Sequence, residues 1–187
     1  PDYSLYLPIP QMDRTKIYNK EAELQRILKT ELALDRKCLV FTTYTNLKDH
    51  IPRLEWICSQ VPNARIQSLR STTTSTRKRE QWVKNKVNNE GINVLICHPE
   101  LVETGLDLLE FQTIIWMQTG YVPATVRQAS SRSWRIGQTE PIKVIFLCYQ
   151  DTLQEKCFQL IGSKLNAAGI LEGNLSNEGL RNFGQEN

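Results

Sequence analysis

The chain has 187 residues, of which 40% are apolar and 23% charged, a size and balance suited to one domain with a sizeable core. No apolar run approaches the ~18 residues of a membrane span, and the opening Pro1-Asp2-Tyr3-Ser4 lacks the basic and apolar regions of a signal peptide and an initiator Met, as an excised piece would. The five cysteines form no C-x-x-C pair, which points away from a zinc site or a redox pair and towards a reducing compartment.

Short β-rich runs alternate with longer amphipathic stretches. Strands are predicted at Leu5–Leu7, Cys38–Thr42, Arg65–Leu69, Ile92–Cys97, Thr113–Gln118 and Ile142–Cys148. The runs CLVFT, INVLIC and VIFLC are almost wholly apolar, as strands covered on both faces are. Helices are predicted over Met12–Leu34, over Leu47–Val61, from about Thr76 to Asn88, after Pro123, and from Asp151. In the last, Asp151 and Gln154 form a capping-box-like pair and Gly169 supplies a stop. Strand–helix alternation at this spacing implies a three-layer α/β/α fold with a mostly parallel sheet. Residues 1–34 read as a lead-in strand and helix, 35–172 as the domain proper, and 173–187 as a flexible Gly- and Asn-rich tail. In open α/β sheets functional loops leave the carboxyl ends of strands; here those loops begin at Thr42, Arg70, His98, Gln118 and Tyr149.

Net charge is only +3, yet Arg70, Arg77, Lys78, Arg79, Lys84 and Lys86 crowd one stretch against Glu80. Such a run suits a polyanion, although a solvated helix face has the same composition.

The most specific segment is Gln128-Ala129-Ser130-Ser131-Arg132-Ser133-Trp134-Arg135-Ile136-Gly137-Gln138. Arg132 and Arg135 stand three apart, on one face of a helix, before a turn at Gly137. Guanidinium groups are planar, permanently charged and matched to phosphate oxygens. The string Q-x-x-x-R-x-x-R-x-G-Q resembles motif VI of superfamily 2 helicases in the Swi/Snf-like form, and the fold implied is the second RecA-like lobe. By that resemblance Arg132 and Arg135 are arginine-finger candidates reaching ATP phosphates held by another lobe, and Gln128 occupies the motif's first position. Trp134 stands where His is common in chromatin remodellers.

Other landmarks follow in order. Leu39-Val40-Phe41-Thr42-Thr43-Tyr44-Thr45 resembles motif IV, which makes Thr42, Thr43 and Tyr44 candidates for contact with a nucleic-acid backbone. Arg70-Ser71-Thr72 resembles the stretch that usually reads Gly-Ser-Thr beside the bound strand, so Arg70, Ser71 and Thr72 join that group. Ile96 to Leu108 resembles motif V: His98 falls at its nucleic-acid end, Gly105 where backbone passes close to a ligand, and Asp107 where a carboxylate accepts from the ATP ribose. The resemblance spans roughly residues 3–171.

The sequence contains no G-x-x-x-x-G-K-[ST] phosphate loop; Gly162-Ser163-Lys164 lacks the earlier glycine and lies in a predicted helix. The resemblance therefore implies half of a composite ATP site. ATP and Mg2+ are bound mainly by a separate N-terminal ATPase lobe, and the isolated chain is expected to be inactive. The expected partners are that lobe and DNA, in duplex form. No membrane is expected, the isolated lobe is expected to be monomeric, and the expected location is the bacterial cytoplasm or another reducing interior. A nucleic-acid-binding module, or a degenerate docking lobe without an ATPase role, is the competing reading.

Overall fold

A computed structural model describes residues 13–43, 45, 49–102, 106–118, 122–133 and 136–171, the stretch 165–171 as backbone alone. Five strands form one sheet: β1 (Lys37–Phe41), β2 (Ile66–Leu69), β3 (Val94–Cys97), β4 (Phe111–Trp116) and β5 (Lys143–Phe146). Their order is β2-β3-β1-β4-β5 and every pairing is parallel. The central strand β1 sets Leu39 beside Leu95 on one neighbour and Ile114 on the other. Each predicted strand in the described residues is present; Leu5–Leu7 lies outside them.

The apolar runs follow from burial on both faces. Leu39 and Phe41 point into one core, with Leu95, Trp116, and the helices α3 (Arg79–Glu90), α4 (Pro123–Ser130) and α5 (Leu153–Leu171). Cys38 and Val40 point into the other, with Ile96, Ile115, and the helices α1 (Asn19–Ala33) and α2 (His50–Ser59). A period of two with apolar residues at both phases is what a covered parallel strand requires. Trp116 anchors the first core: its ring lies 4.6 Å from Phe41 and 6.0 Å from Phe146, which meets Phe158 edge-on at 5.3 Å.

Boundaries of α1, α3 and α5 differ from expectation, each for a local reason. α1 begins at Asn19 rather than Met12 because Asp13 accepts from the Thr15 N–H and hydroxyl, holding a turn. The Tyr18 N–H then donates to Glu21 Oε2 at 2.9 Å and starts the helix. The third helix opens with a 3-10 turn at Thr76–Lys78 and ends at Gly91, whose φ of +65° suits glycine. At α5 the capping pair is Thr152 and Glu155: Thr152 Oγ1 accepts from the Glu155 N–H and Glu155 Oε2 from the Asp151 N–H. Gln154 turns away to the sheet, and α5 continues past Gly169 to Leu171.

At the amino end of the sheet an ion cluster around one buried carboxylate fixes α1 to β4, to β5 and to the residue before β1. Glu31 is buried and accepts from Thr113 Oγ1 at 2.6 Å, lies 3.0 Å from Arg36 Nε, and pairs with Lys143. This end is structural; the contact candidates lie at the other.

Candidate functional site

Parallel strands bring all carboxyl ends to one edge. In sheet order the first residues beyond them are Arg70, His98, Thr42, Met117 and Leu147. Thr42, His98 and Arg70 thus stand on three consecutive strands, although 28 positions separate even the two nearest in the sequence. The Thr42 N–H donates to Cys97 O at 3.1 Å, which sets Thr42 and Thr43 beside His98. β1 is followed by α2 on one face, while β3 and β4 feed the opposite face. The chain therefore parts around Thr42, the position where open α/β sheets admit ligands.

Arg70, Ser71 and Thr72 are exposed. A turn holds them: the Arg70 N–H donates to Thr73 Oγ1 and the Thr73 N–H to Arg70 O, both at 3.0 Å. The Arg70 guanidinium lies 3.7 Å from Glu55, a long surface ion pair of the weak kind. His98 is half-buried and its Nδ1 accepts from the Glu100 N–H at 3.3 Å, capping the 3-10 turn Pro99–Leu101. Thr43 is half-buried; Tyr44 lies outside the described residues.

Thr42 differs from the expectation of a hydroxyl facing a ligand. It is fully buried, with Oγ1 2.5 Å from Gln118 Oε1 and 2.6 Å from His50 Nε2. The basic stretch also divides. Arg79 turns inward, 9% exposed, and its Nη1 donates to Leu101 O at 3.2 Å. Lys84 pairs with Glu80 and Lys86 with Glu90 along the helix. Arg70, Arg77 and Lys78 are left as the solvent-facing basic groups of that stretch, and among the described residues the acid paired with them is Glu55, 3.7 Å from Arg70.

The nucleotide candidates form a second group. Val126 and Ala129 seat α4 in the core, and Trp116 Nε1 donates to Ser130 Oγ at 3.3 Å, fixing the helix end over β4. Beyond it the Leu108 N–H donates to Arg132 O at 3.0 Å. Gln138 Nε2 donates to both Leu109 O and Ser133 O at 2.9 Å, and its Oε1 accepts from the Glu140 N–H at 3.0 Å. Gly137 makes the intervening turn at φ +102°. Asp107 is thereby held next to the arginine segment; it is half-buried and, with Glu110, lies in the field that keeps the Lys84 pKa raised, after the larger effect of the Glu80 hydrogen bond. Gln128 is exposed on α4. Arg132 is largely buried, 9% exposed. Gly105, Trp134 and Arg135 lie outside the described residues.

Sequence reasoning missed a polar group at the carboxyl ends of β1 and β4. Besides Thr42, His50 and Gln118 it includes Lys20, whose Nζ donates to Met117 O and to Gln154 Oε1, the latter at 2.8 Å. Burial pushes the Lys20 amine down to about 8. Burial also lowers the His50 pKa, opposed by the Gln118 hydrogen bond and Glu21 and assisted by Lys20. Only Gln118 carried a signal, as the start of a loop.

Three comparisons bear on this arrangement. The family described as helicase conserved C-terminal domain matches residues 19–137. The chain is 26% identical over 157 residues to the TATA-binding protein-associated factor mot1 of Schizosaccharomyces pombe, covering 84% of the chain and 8% of that protein. It is 26% identical over 144 residues to the ATP-dependent helicase FUN30 of Saccharomyces cerevisiae, covering 76% and 12%. The chain thus spans a small part of these relatives. Both come from yeasts, which gives the expected bacterial source no support. The crystal structure of the C-terminal part of the Fun30 ATPase domain shares the fold, with a TM-score of 0.67 and 23% identity over 79% of the chain and 48% of that structure.

Proposed function

The chain belongs to the helicase conserved C-terminal domain family, as a superfamily 2 lobe of the Swi/Snf type, and on that premise we propose that it is the second motor lobe of an ATP-dependent DNA translocase. The observation that carries this reading is the joining of the motif V and motif VI segments through Leu108–Arg132 and Gln138–Leu109. Two segments far apart in sequence hold one ribose-seeking carboxylate beside one arginine segment.

The residues fit a nucleotide shared with another lobe. Asp107 accepts from a sugar hydroxyl, Gln128 offers an exposed amide, and Arg132 and Arg135 supply fixed positive charge for phosphate oxygens. Bound ATP supplies the phosphoryl transfer that drives the cycle, with Mg2+ held by the first lobe. Arginine stabilisation of a transferring phosphoryl group is worth roughly 10³–10⁵ in rate in NTPases.

The edge formed by the exposed Arg70, Ser71 and Thr72 and the half-buried Thr43 and His98 is the DNA-contacting surface in this reading. Its hydroxyls and one strong cation suit a phosphate backbone, which positions without reading sequence. Movement of the arginine segment toward phosphates closes the lobes, and the two grips on one duplex then shift relative to each other.

The test is hydrolysis by the chain alone and by the full-length protein, each with and without duplex DNA. The isolated chain is expected to show no turnover above background and the full-length protein DNA-stimulated turnover. Robust hydrolysis by the pure isolated chain contradicts the shared site.

A further inference from the structure

From the hydrogen bonds that join the end of β1 to the start of α2, we infer that His50 and Gln118 are positioning residues for DNA binding: they lock Thr42, and so set Thr43 against the DNA without touching it. The inference rests on the reading above that this edge meets DNA.

The chain leaves β1 at Thr42 and resumes helix at His50. One buried oxygen joins the two points: Thr42 Oγ1 lies 2.6 Å from His50 Nε2 and 2.5 Å from Gln118 Oε1. A hydroxyl has one proton, and the amide oxygen of Gln118 can only accept, so Thr42 donates to Gln118. His50 must then present Nε2–H to the Thr42 oxygen, which fixes the neutral ring in that tautomer. Lys20 and Glu21 of α1 are the charged groups whose fields reach the ring, with opposite effects.

Thr42 is buried and His50 and Gln118 are half-buried, and polar groups withdrawn from water in this way are costly unless each is satisfied. An apolar trio would hold β1, α2 and β4 together as well. What the polar trio adds is direction: it fixes Thr42 in rotation as well as in place. The Thr42 N–H is at the same time bound to Cys97 O, immediately before His98. The clamp therefore sets the distance between two DNA-contact candidates, Thr43 and His98, on adjacent strands. Thr42 itself has no exposed surface for DNA.

Salt dependence separates positioning from contact, because each lost phosphate contact lowers the slope of log K against log salt by about 0.9 for duplex DNA. The experiment measures binding of a fluorescein-labelled duplex oligonucleotide by the full-length protein from low to moderate salt. Expected for His50→Leu is binding weakened about five- to tenfold with an unchanged slope. His50→Gln, whose amide N–H replaces Nε2–H, is expected to restore affinity to within about twofold of the parent. Arg70→Ala is expected to lower the slope instead. Thr42→Val, isosteric and without the hydroxyl, serves should His50→Leu fail to fold, and is expected to weaken binding at constant slope. Parental affinity in folded His50→Leu or Thr42→Val overturns the inference, as does a slope lowered like that of Arg70→Ala. Absence of DNA binding by the parent protein instead overturns the functional reading on which the inference rests.

Discussion

The Leu108 N–H donates to the carbonyl of Arg132 at 3.0 Å, tying the residue after Asp107 to the start of the arginine pair. Backbone hydrogen bonds of this kind fix position whatever the side chains do. The spacing of Asp107 from the arginine segment is thus a property of the fold, and side-chain changes act on what the frame presents.

Gln138 is the side chain that completes this frame. Gln138→Leu keeps the volume but leaves Leu109 O and Ser133 O without their donor. The expected loss is about 1–3 kcal/mol, read by urea unfolding. Gly137→Ala is expected to cost about 1–2 kcal/mol for a different reason. Among the described residues a Cβ there meets Leu109 Cδ1 at 3.6 Å, an ordinary contact, so the cost is that of the φ of +102°.

The Glu31 cluster governs stability at acid pH. Burial alone would raise the Glu31 pKa, but Lys143, Thr113 and Arg36 outweigh it and hold the carboxyl below its usual range. A depressed folded pKa gives stability that is present above the unfolded value near 4.5 and is lost as pH falls through the lower folded value. Glu31→Ala leaves Arg36 and Lys143 without their shared acid and is expected to cost about 3–5 kcal/mol near neutral pH. The difference from the parent should shrink as the parent's own carboxyl titrates. A melting series from neutral to acid pH checks both statements.

Lys20 behaves in the opposite sense. Its folded pKa of about 8 lies below the ordinary 10.5, so below pH 8 the buried ammonium is a cost. In that window the unfolded chain binds more protons, and stability gains from Lys20 as pH rises from about 8 to 10.5. Lys20→Met is expected to match or exceed the parent at pH 7 and to lose that advantage towards pH 10.5. A stability difference that stays flat over this range contradicts the burial argument.

The sheet was legible because each strand is apolar at both phases of a period of two, as in Cys38 to Phe41. The strand ends and the edge carrying Thr42, Arg70 and His98 followed from parallel topology. Helix starts were less legible: Asp13 holds a turn ahead of α1, and Thr152 with Glu155 takes the cap that Asp151 and Gln154 suggested. Those choices depend on where a side chain finds its partner in space. Gln154 reaches Met117 O and Lys20, neither near it in sequence. The burial of Thr42 and Arg79 was invisible for the same reason: a polar side chain reads as surface until His50, Gln118 or Leu101 O is brought to it.

DNA-stimulated ATP hydrolysis by the full-length protein decides whether the segment after α4 acts on ATP phosphates. Arg135→Ala and Arg132→Ala should each lower turnover, at least one by about 10³-fold, with nucleotide binding retained. Turnover unchanged in both variants would mean that these arginines never reach the nucleotide, and the lobe would then serve as a nucleic-acid-binding module.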